Sequence, residues 1–260
     1  MEKLYSKILE HGYINIYSDL SAQERRQVHF KTLYKSENPG WDDSLIFLTN
    51  RFREFLKPNL TVLDAGCGNG NYIIDENRAG ITHAVGIDVA KEFVQKNICL
   101  DEIKIGNLEK LPFDDSSFDI VTSLWVLEHL EKPQIVFKEI HRVLKKDGIF
   151  MFATPNAKFL PLWIMSLIKN STINHLLNKK LFGRNQKDVF KTYYKANTVK
   201  DITKLCEGLF LAETVKLNYD PSYTSFNFLS YKLSNTANIL AKKTGVSCLQ
   251  SHILGVLIKA

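Results

Sequence analysis

The chain has 260 residues, room for one large domain with insertions but too little for two full enzyme domains and a linker. Its 45% hydrophobic and 24% charged residues are the balance of a globular protein, which excludes collagen-like, coiled-coil and disordered classes. The net charge of +6 is carried mainly by lysine, since only seven of the 34 basic residues are arginine; this favours a diffuse attraction to anions over the bidentate clamps of a nucleic-acid reader.

In chain order, the first 59 residues read as helical. Ser21-Ala22-Gln23-Glu24 has the form of a helix start with an N-cap serine, and residues 43–57 space their apolar side chains helically. From residue 60 the period changes. Short apolar runs at 60–64, 82–88, 102–106, 118–124 and 148–153 alternate with helix-like stretches at 69–79, 91–98 and 132–146, which predicts a parallel sheet covered on both faces. A helix is expected at 198–207, a strand at 209–217, helical or irregular chain at 222–243 and a closing strand at 251–259. The expected fold is therefore α/β, with a helical segment at 1–59 and one sheet domain over 60–260. Insertions at about 155–195 and 218–248 read as lids. No apolar run approaches the roughly 18 residues of a membrane span. Met1–Ser6 carries no apolar stretch, so no secretory leader is expected, and four scattered cysteines without a CxxC pair fit a reducing cytoplasm.

The segment with the most chemistry is Val62-Leu63-Asp64-Ala65-Gly66-Cys67-Gly68-Asn69-Gly70. A strand enters a turn with glycines at alternate positions, which lets a ligand approach the main chain without meeting a Cβ. The spacing is neither the dinucleotide fingerprint nor a P-loop. An acid just before the glycines would be unfavourable beside a diphosphate but suits a cationic amine or sulfonium. Asp88 ends the second strand, where a carboxylate can accept hydrogen bonds from both hydroxyls of an adenosine ribose. Asn107 and Leu108 follow the third strand, with an amide for the adenine amine and an apolar side chain for its ring.

VLDAGCGNG, VGID, GNLEKLPFDDSSFDIV, LEHL and KEIHRVLKKDGIFMFATPN occur in this order over residues 62–156. In these segments the chain resembles the class I S-adenosylmethionine-dependent methyltransferases of the small-molecule type. The resemblance implies a doubly wound, Rossmann-like sheet of seven mostly parallel strands, the last inserted antiparallel, and S-adenosyl-L-methionine as cofactor. It further implies that Asp64, Gly66, Gly68 and Gly70, with Ala65 and Cys67 between them, line the methionine part. Asp88 would hold the ribose, Asn107 and Leu108 the adenine, and Leu124 or Trp125 would lie beside the sulfonium. Asn107 stands where the family usually has Asp. Cys67 reads as a small filler rather than a nucleophile, and His129 as a general base or a packing histidine. The sequence is also similar to ubiquinone-pathway O-methyltransferases, some of which bind a cation through Glu-x-x-Glu-His. Trp125 replaces the first acid, so no metal is expected.

The function expected is methyl transfer to a small acceptor, O-methylation of a sugar, glycolipid or secondary metabolite. An RNA or protein methyltransferase and a non-catalytic cofactor-binding partner subunit remain as alternatives. Nucleic acid is the weaker choice of partner, because ATPN after the fifth strand is not the NPPY-type tetrad. Residues 158–195 begin apolar (FLPLWIMSLI) and end basic (Lys179, Lys180, Arg184, Lys187, Lys191, Lys195). That pattern suits a lipid-linked anionic acceptor and a peripheral membrane contact, or simply a lid.

Overall fold

The computed structural model describes residues 21–95, 97–161 and 190–260. They form two compact units.

The larger unit holds 44–155, 192–216 and 252–260. Its elements are α2 (Ser44–Arg53), β1 (Thr61–Ala65), α3 (Tyr72–Asn77), β2 (His83–Asp88), α4 (Lys91–Val94), β3 (Glu102–Ile105), β4 (Phe118–Leu124), α5 (Pro133–Val143), β5 (Leu144–Pro155), α6 (Val199–Cys206), β6 (Phe210–Asn218) and β7 (His252–Lys259). The seven strands lie in the order β3-β2-β1-β4-β5-β7-β6. Strands β1 to β5 run parallel, and β7 pairs antiparallel with β5, from Ile149 opposite Ile258 to Pro155 opposite His252. The class I methyltransferase topology implied by the sequence is present, antiparallel strand included.

Strand alternation sorts the core into two layers. Val62, Ile120, Ile149, Met151, Leu254 and Val256 pack with Leu48, Phe52, Ile73 and Ile74 of α2 and α3. On β5 the alternate residue Phe150 stands edge-on to Phe137 of α5, with ring centroids 5.5 Å apart, and 5.9 Å from Phe210 of β6. Buried Asp119 then ties β1 to β4 at the end away from the glycines. It accepts from the Thr61 amide (2.9 Å), the Thr61 hydroxyl (2.7 Å) and the ammonium groups of Lys145 and Lys57 (2.8 Å each).

Some expected boundaries move. The stretch 132–146 was expected as one helix, but α5 stops at Val143. Leu144 already pairs with Phe118, and the chain bulges before Ile149 joins Ile120. Asp147 takes φ +59° in that bulge, and at Gly148 a Cβ would lie 2.8 Å from the Lys145 carbonyl oxygen. The stretch 69–79 begins its helix only at Tyr72, after Asn71 has capped it, and 91–98 is helical only to Val94.

In the second unit, the described residues are 21–43, 156–161, 190–191 and 217–251. It contains α1 (Ala22–Glu37), a short turn of 3-10 helix (Pro221–Tyr223) and α7 (Phe228–Thr244). Ser21 caps α1 as the sequence predicts, with Glu24 closing a capping box. Phe30, Tyr34, Trp41, Tyr219 and Tyr231 form its aromatic core. Beside them Lys31 bridges the buried Asp43 (2.6 Å) and Asp220 (2.9 Å).

Candidate functional site

The carboxyl ends of β1, β2, β3 and β4 lie along one edge of the larger unit. The strand order reverses between β1 and β4, which is where open parallel sheets leave a crevice for ligands. The loop after β1 is stitched to β2: the Gly66 and Cys67 amides both donate to the Ile87 carbonyl, at 2.8 and 3.2 Å. Gly66 has φ +84°, and a Cβ there would stand 2.4 Å from a Val126 methyl, so this loop lies hard against the turn after β4. Gly68 differs. Its φ is +44°, but a Cβ would meet nothing within 4 Å. The backbone alone requires glycine there, and the space in front of it is open.

Asp88 joins the loop to β2. Its Oδ2 accepts from the Gly68 amide at 2.9 Å and its Oδ1 from the Ala90 amide at 2.8 Å. Each oxygen keeps a second lone pair for a ligand hydroxyl.

Asp64, at the end of β1, is 1% exposed. Its Oδ1 accepts from the Asn71 amide nitrogen (2.8 Å) and the Thr122 hydroxyl (3.1 Å), while its Oδ2 is buried with no hydrogen-bond partner. Burial pushes this carboxyl up to about 7; the Asn71 and Thr122 bonds pull it back, and the Asp88 charge adds to the rise. A buried, unsatisfied carboxylate oxygen is costly and calls for a donor. With the open cradle at Gly68 and the acceptor lone pairs of Asp88, these residues fit a ligand carrying an ammonium group and a ribose.

The other expected site residues share this edge. Ala65 is buried, and its carbonyl accepts from the Ser123 hydroxyl at 2.9 Å. The Gly70 amide closes the loop onto the Cys67 carbonyl at 3.1 Å. The Cys67 side chain is buried, and burial drives its thiol well up from its ordinary range, which suits a filler and not a nucleophile. Asn107 is exposed, with its Oδ1 accepting from the Glu109 amide at 2.9 Å, and Leu108 beside it is buried. Leu124 and Trp125 are partly buried against the sheet core. Trp125 takes φ +59° and stands edge-on to His252, with centroids 4.7 Å apart.

Beyond Trp125, a short turn of 3-10 helix carries Glu128 and His129. The Glu128 carboxylate is buried and accepts from the Thr154 hydroxyl at 3.1 Å. Thr154 accepts in turn from Asn197 at 2.6 Å. His129 Nε2 lies 3.9 Å from Glu128 Oε1. The Glu128 carbonyl also accepts from the Tyr193 and Tyr194 amides, which ties residues 193–197 to this turn. Among the described residues, no group of three or more His, Cys, Asp or Glu is placed to hold a metal ion.

Four residues of these networks are not evident in the sequence. Asn71 had a signal, an Asn directly before a helical stretch. Thr122 is a hydroxyl in an otherwise apolar buried strand. Thr154 and Asn197 had none, because an insertion separates them in the chain. Of the apolar and basic segment 158–195, Leu162–Ile168, Lys179, Lys180, Arg184 and Lys187 lie outside the described residues. Phe159 is buried edge-on to Tyr223, and Lys191 and Lys195 are exposed.

Residues 63–152 match a family described as a methyltransferase domain. An uncharacterized protein of Methanocaldococcus jannaschii is 31% identical over 225 residues, covering 78% of this chain and 86% of that protein. A probable tRNA methyltransferase 9B of Homo sapiens is 31% identical over 51% of this chain, and a ubiquinone biosynthesis O-methyltransferase of Glaesserella parasuis 34% identical over 36% of it. The chain spans only 30% and 45% of those two proteins.

Proposed function

The chain belongs to the class I S-adenosylmethionine-dependent methyltransferases, and from that premise we propose that it methylates a hydroxyl oxygen of a small molecule such as a sugar, a glycolipid or another secondary metabolite. S-adenosylmethionine, when bound, supplies an electrophilic methyl group. The chain itself must hold and align the reactants and provide for the proton of the acceptor.

The observation that carries the oxygen reading is the pair formed by His129 and buried Glu128 beyond β4. A hydroxyl is a weak nucleophile until its proton is taken, and an imidazole backed by a carboxylate is suited to take it. Glu128 is itself oriented by Thr154, and Thr154 by Asn197, so a chain of hydrogen bonds fixes the carboxylate, while the imidazole stands 3.9 Å from it, close enough for charge to act but too far for a hydrogen bond. The proton passes from the acceptor hydroxyl to the His129 ring and from there to water, while Glu128 stabilises the imidazolium. For the cofactor, Asp88 is the ribose acceptor, Asp64 the partner of the ammonium, the main chain at Gly66–Gly70 the cradle, and Asn107 and Leu108 the adenine contacts.

Replacing Asp88 with alanine removes acceptors for both ribose hydroxyls and releases the Gly68 amide. Cofactor affinity should fall by about tenfold to a hundredfold, the weight of hydrogen bonds to a charged group at roughly 1.5–3 kcal/mol. Calorimetry with S-adenosylhomocysteine reads this directly, and unchanged affinity would remove Asp88 from the site.

The likeness to a tRNA methyltransferase supports RNA as the second reading. Incubation with methyl-labelled cofactor and, separately, a metabolite extract, total tRNA and total protein distinguishes the acceptors. The label is expected in the low-mass fraction, in a base-stable ether. Label that is retained on RNA, or on protein, overturns the small-molecule reading.

A further inference from the structure

Helix α7 (Phe228–Thr244), in the second unit, has its polarity reversed. Tyr231, Asn235 and Asn238, spaced as one helical face, are buried. Both asparagines are bonded there: Asn235 donates to Glu37 at 2.9 Å, although its Oδ1 is buried without a partner, and Asn238 donates to the Tyr34 hydroxyl at 2.9 Å and accepts from Gln250 at 2.6 Å. The apolar residues go the other way. Leu229, Leu233 and Leu240, again at helical spacing, are 69%, 64% and 58% exposed, and Phe228 and Ile239 widen the stripe. A soluble helix normally turns that stripe inward. Contiguous exposed apolar surface of this kind marks a contact that is made with something else.

The charges around the stripe select the occupant. Residues 228–244 contain Lys232, Lys242 and Lys243 and no acid. Lys232 lies over the Phe228 ring (5.4 Å) and reaches Glu37 (2.7 Å), and the Arg26 guanidinium sits over Phe226 at the start of the helix (5.5 Å). Cations flanking leucines and phenylalanines form the pattern of a helix lying in a membrane interface. No helix among the described residues is long and apolar enough to cross a membrane, so the fit is to a surface. A second copy docked through the same face would set lysines against lysines across a two-fold axis, with no acid on the helix to answer them.

We propose that the exposed face of α7 is a docking surface for anionic lipid bilayers, with Leu229, Leu233 and Leu240 entering the headgroup region and Lys243 at its border. This surface belongs to the second unit and uses none of the residues assigned to methyl transfer, and the proposal does not depend on the identity of the acceptor.

The test is flotation of the full chain with phosphatidylcholine vesicles, with and without phosphatidylglycerol, at low and high salt. The chain should float with the anionic vesicles at low salt and be released by high salt. Leu229→Ser/Leu233→Ser/Leu240→Ser should abolish flotation, and Lys243→Glu should weaken it by about fivefold or more, the weight of a lysine near an anionic surface. Because the leucines are exposed, the triple variant should keep the circular dichroism and cofactor affinity of the parent. Failure of the parent to float, or equal flotation of the triple variant, overturns the proposal. So does a parent that sediments as a dimer which the triple variant dissociates, because the occupant is then a second copy.

Discussion

Replacing His129 with alanine is expected to lower turnover by about 10²–10⁴-fold, the usual weight of a positioned general base. Cofactor affinity and thermal stability should stay near those of the parent. His129 is partly exposed on its 3-10 turn, so its side chain carries little of the core. Exogenous imidazole should restore part of the turnover of the alanine variant, which a packing histidine would not allow. Glu128→Gln keeps the shape and the bond from Thr154 but removes the charge that favours the imidazolium, and its loss should be smaller than that of His129→Ala. Single-turnover rates with labelled cofactor check both. An alanine variant that turns over normally would leave the Glu128–His129 pair without a chemical role and the oxygen reading without its main support.

How far the site could be read from the sequence depended on how local each interaction is. The turn at the glycine loop and the strand-end positions of Asp64 and Asp88 were legible, because strand, turn and acid lie within a few residues and the backbone conformation depends on the glycines themselves. The closing antiparallel strand was legible as an apolar run, although its place between β5 and β6 comes from the family and not from the run. The end of α5 was misread because Leu144–Lys146 has good helix formers, and its pairing with β4 is a tertiary choice that overrides propensity. The support beneath Glu128 was not legible. Asn197 reaches Thr154 across 43 positions of chain, and nothing in ATPN or ANTV indicates that they meet. The inverted face of α7 was hidden for a related reason. Its leucines have an ordinary helical period, and only the burial of Asn235 and Asn238 shows which side is turned in.

Asn71 joins the end of β1, the middle of β4 and the start of α3, and its removal should be the costliest to stability. Its Oδ1 caps α3 through the Ile73 and Ile74 amides (3.0 and 3.4 Å), while its Nδ2 donates to Asp64 (2.8 Å) and to Thr122 (3.1 Å). Losing the cap costs about 1 kcal/mol. Leaving buried acceptors on Asp64 and Thr122 short of a donor adds about 1–3 kcal/mol. A loss on the order of 2–4 kcal/mol should lower Tm by about 5–15 °C in a domain of this size, with calorimetry as the measurement. Asn71→Asp retains the cap and can accept the proton that Asp64 holds, so it should lie between the parent and the alanine variant at neutral pH and lose ground as Asp64 ionises at higher pH; a variant whose stability does not fall in that way would refute the account. The pH dependence follows from the same contacts. Burial lifts the Asp64 carboxyl to about 7 in the folded chain, from an ordinary value near 3.8. The folded state therefore holds a proton that the unfolded state has released, and stability from this group is full below about 4 and is lost as pH rises through 7. The difference between the parent and Asp64→Asn should trace that fall. In Asn71→Ala the fall should move to higher pH, because the lost donor had favoured the ionised carboxylate. A parent whose stability tracks that of Asp64→Asn across the whole interval would mean that Asp64 is ionised throughout and that its buried Oδ2 has a donor.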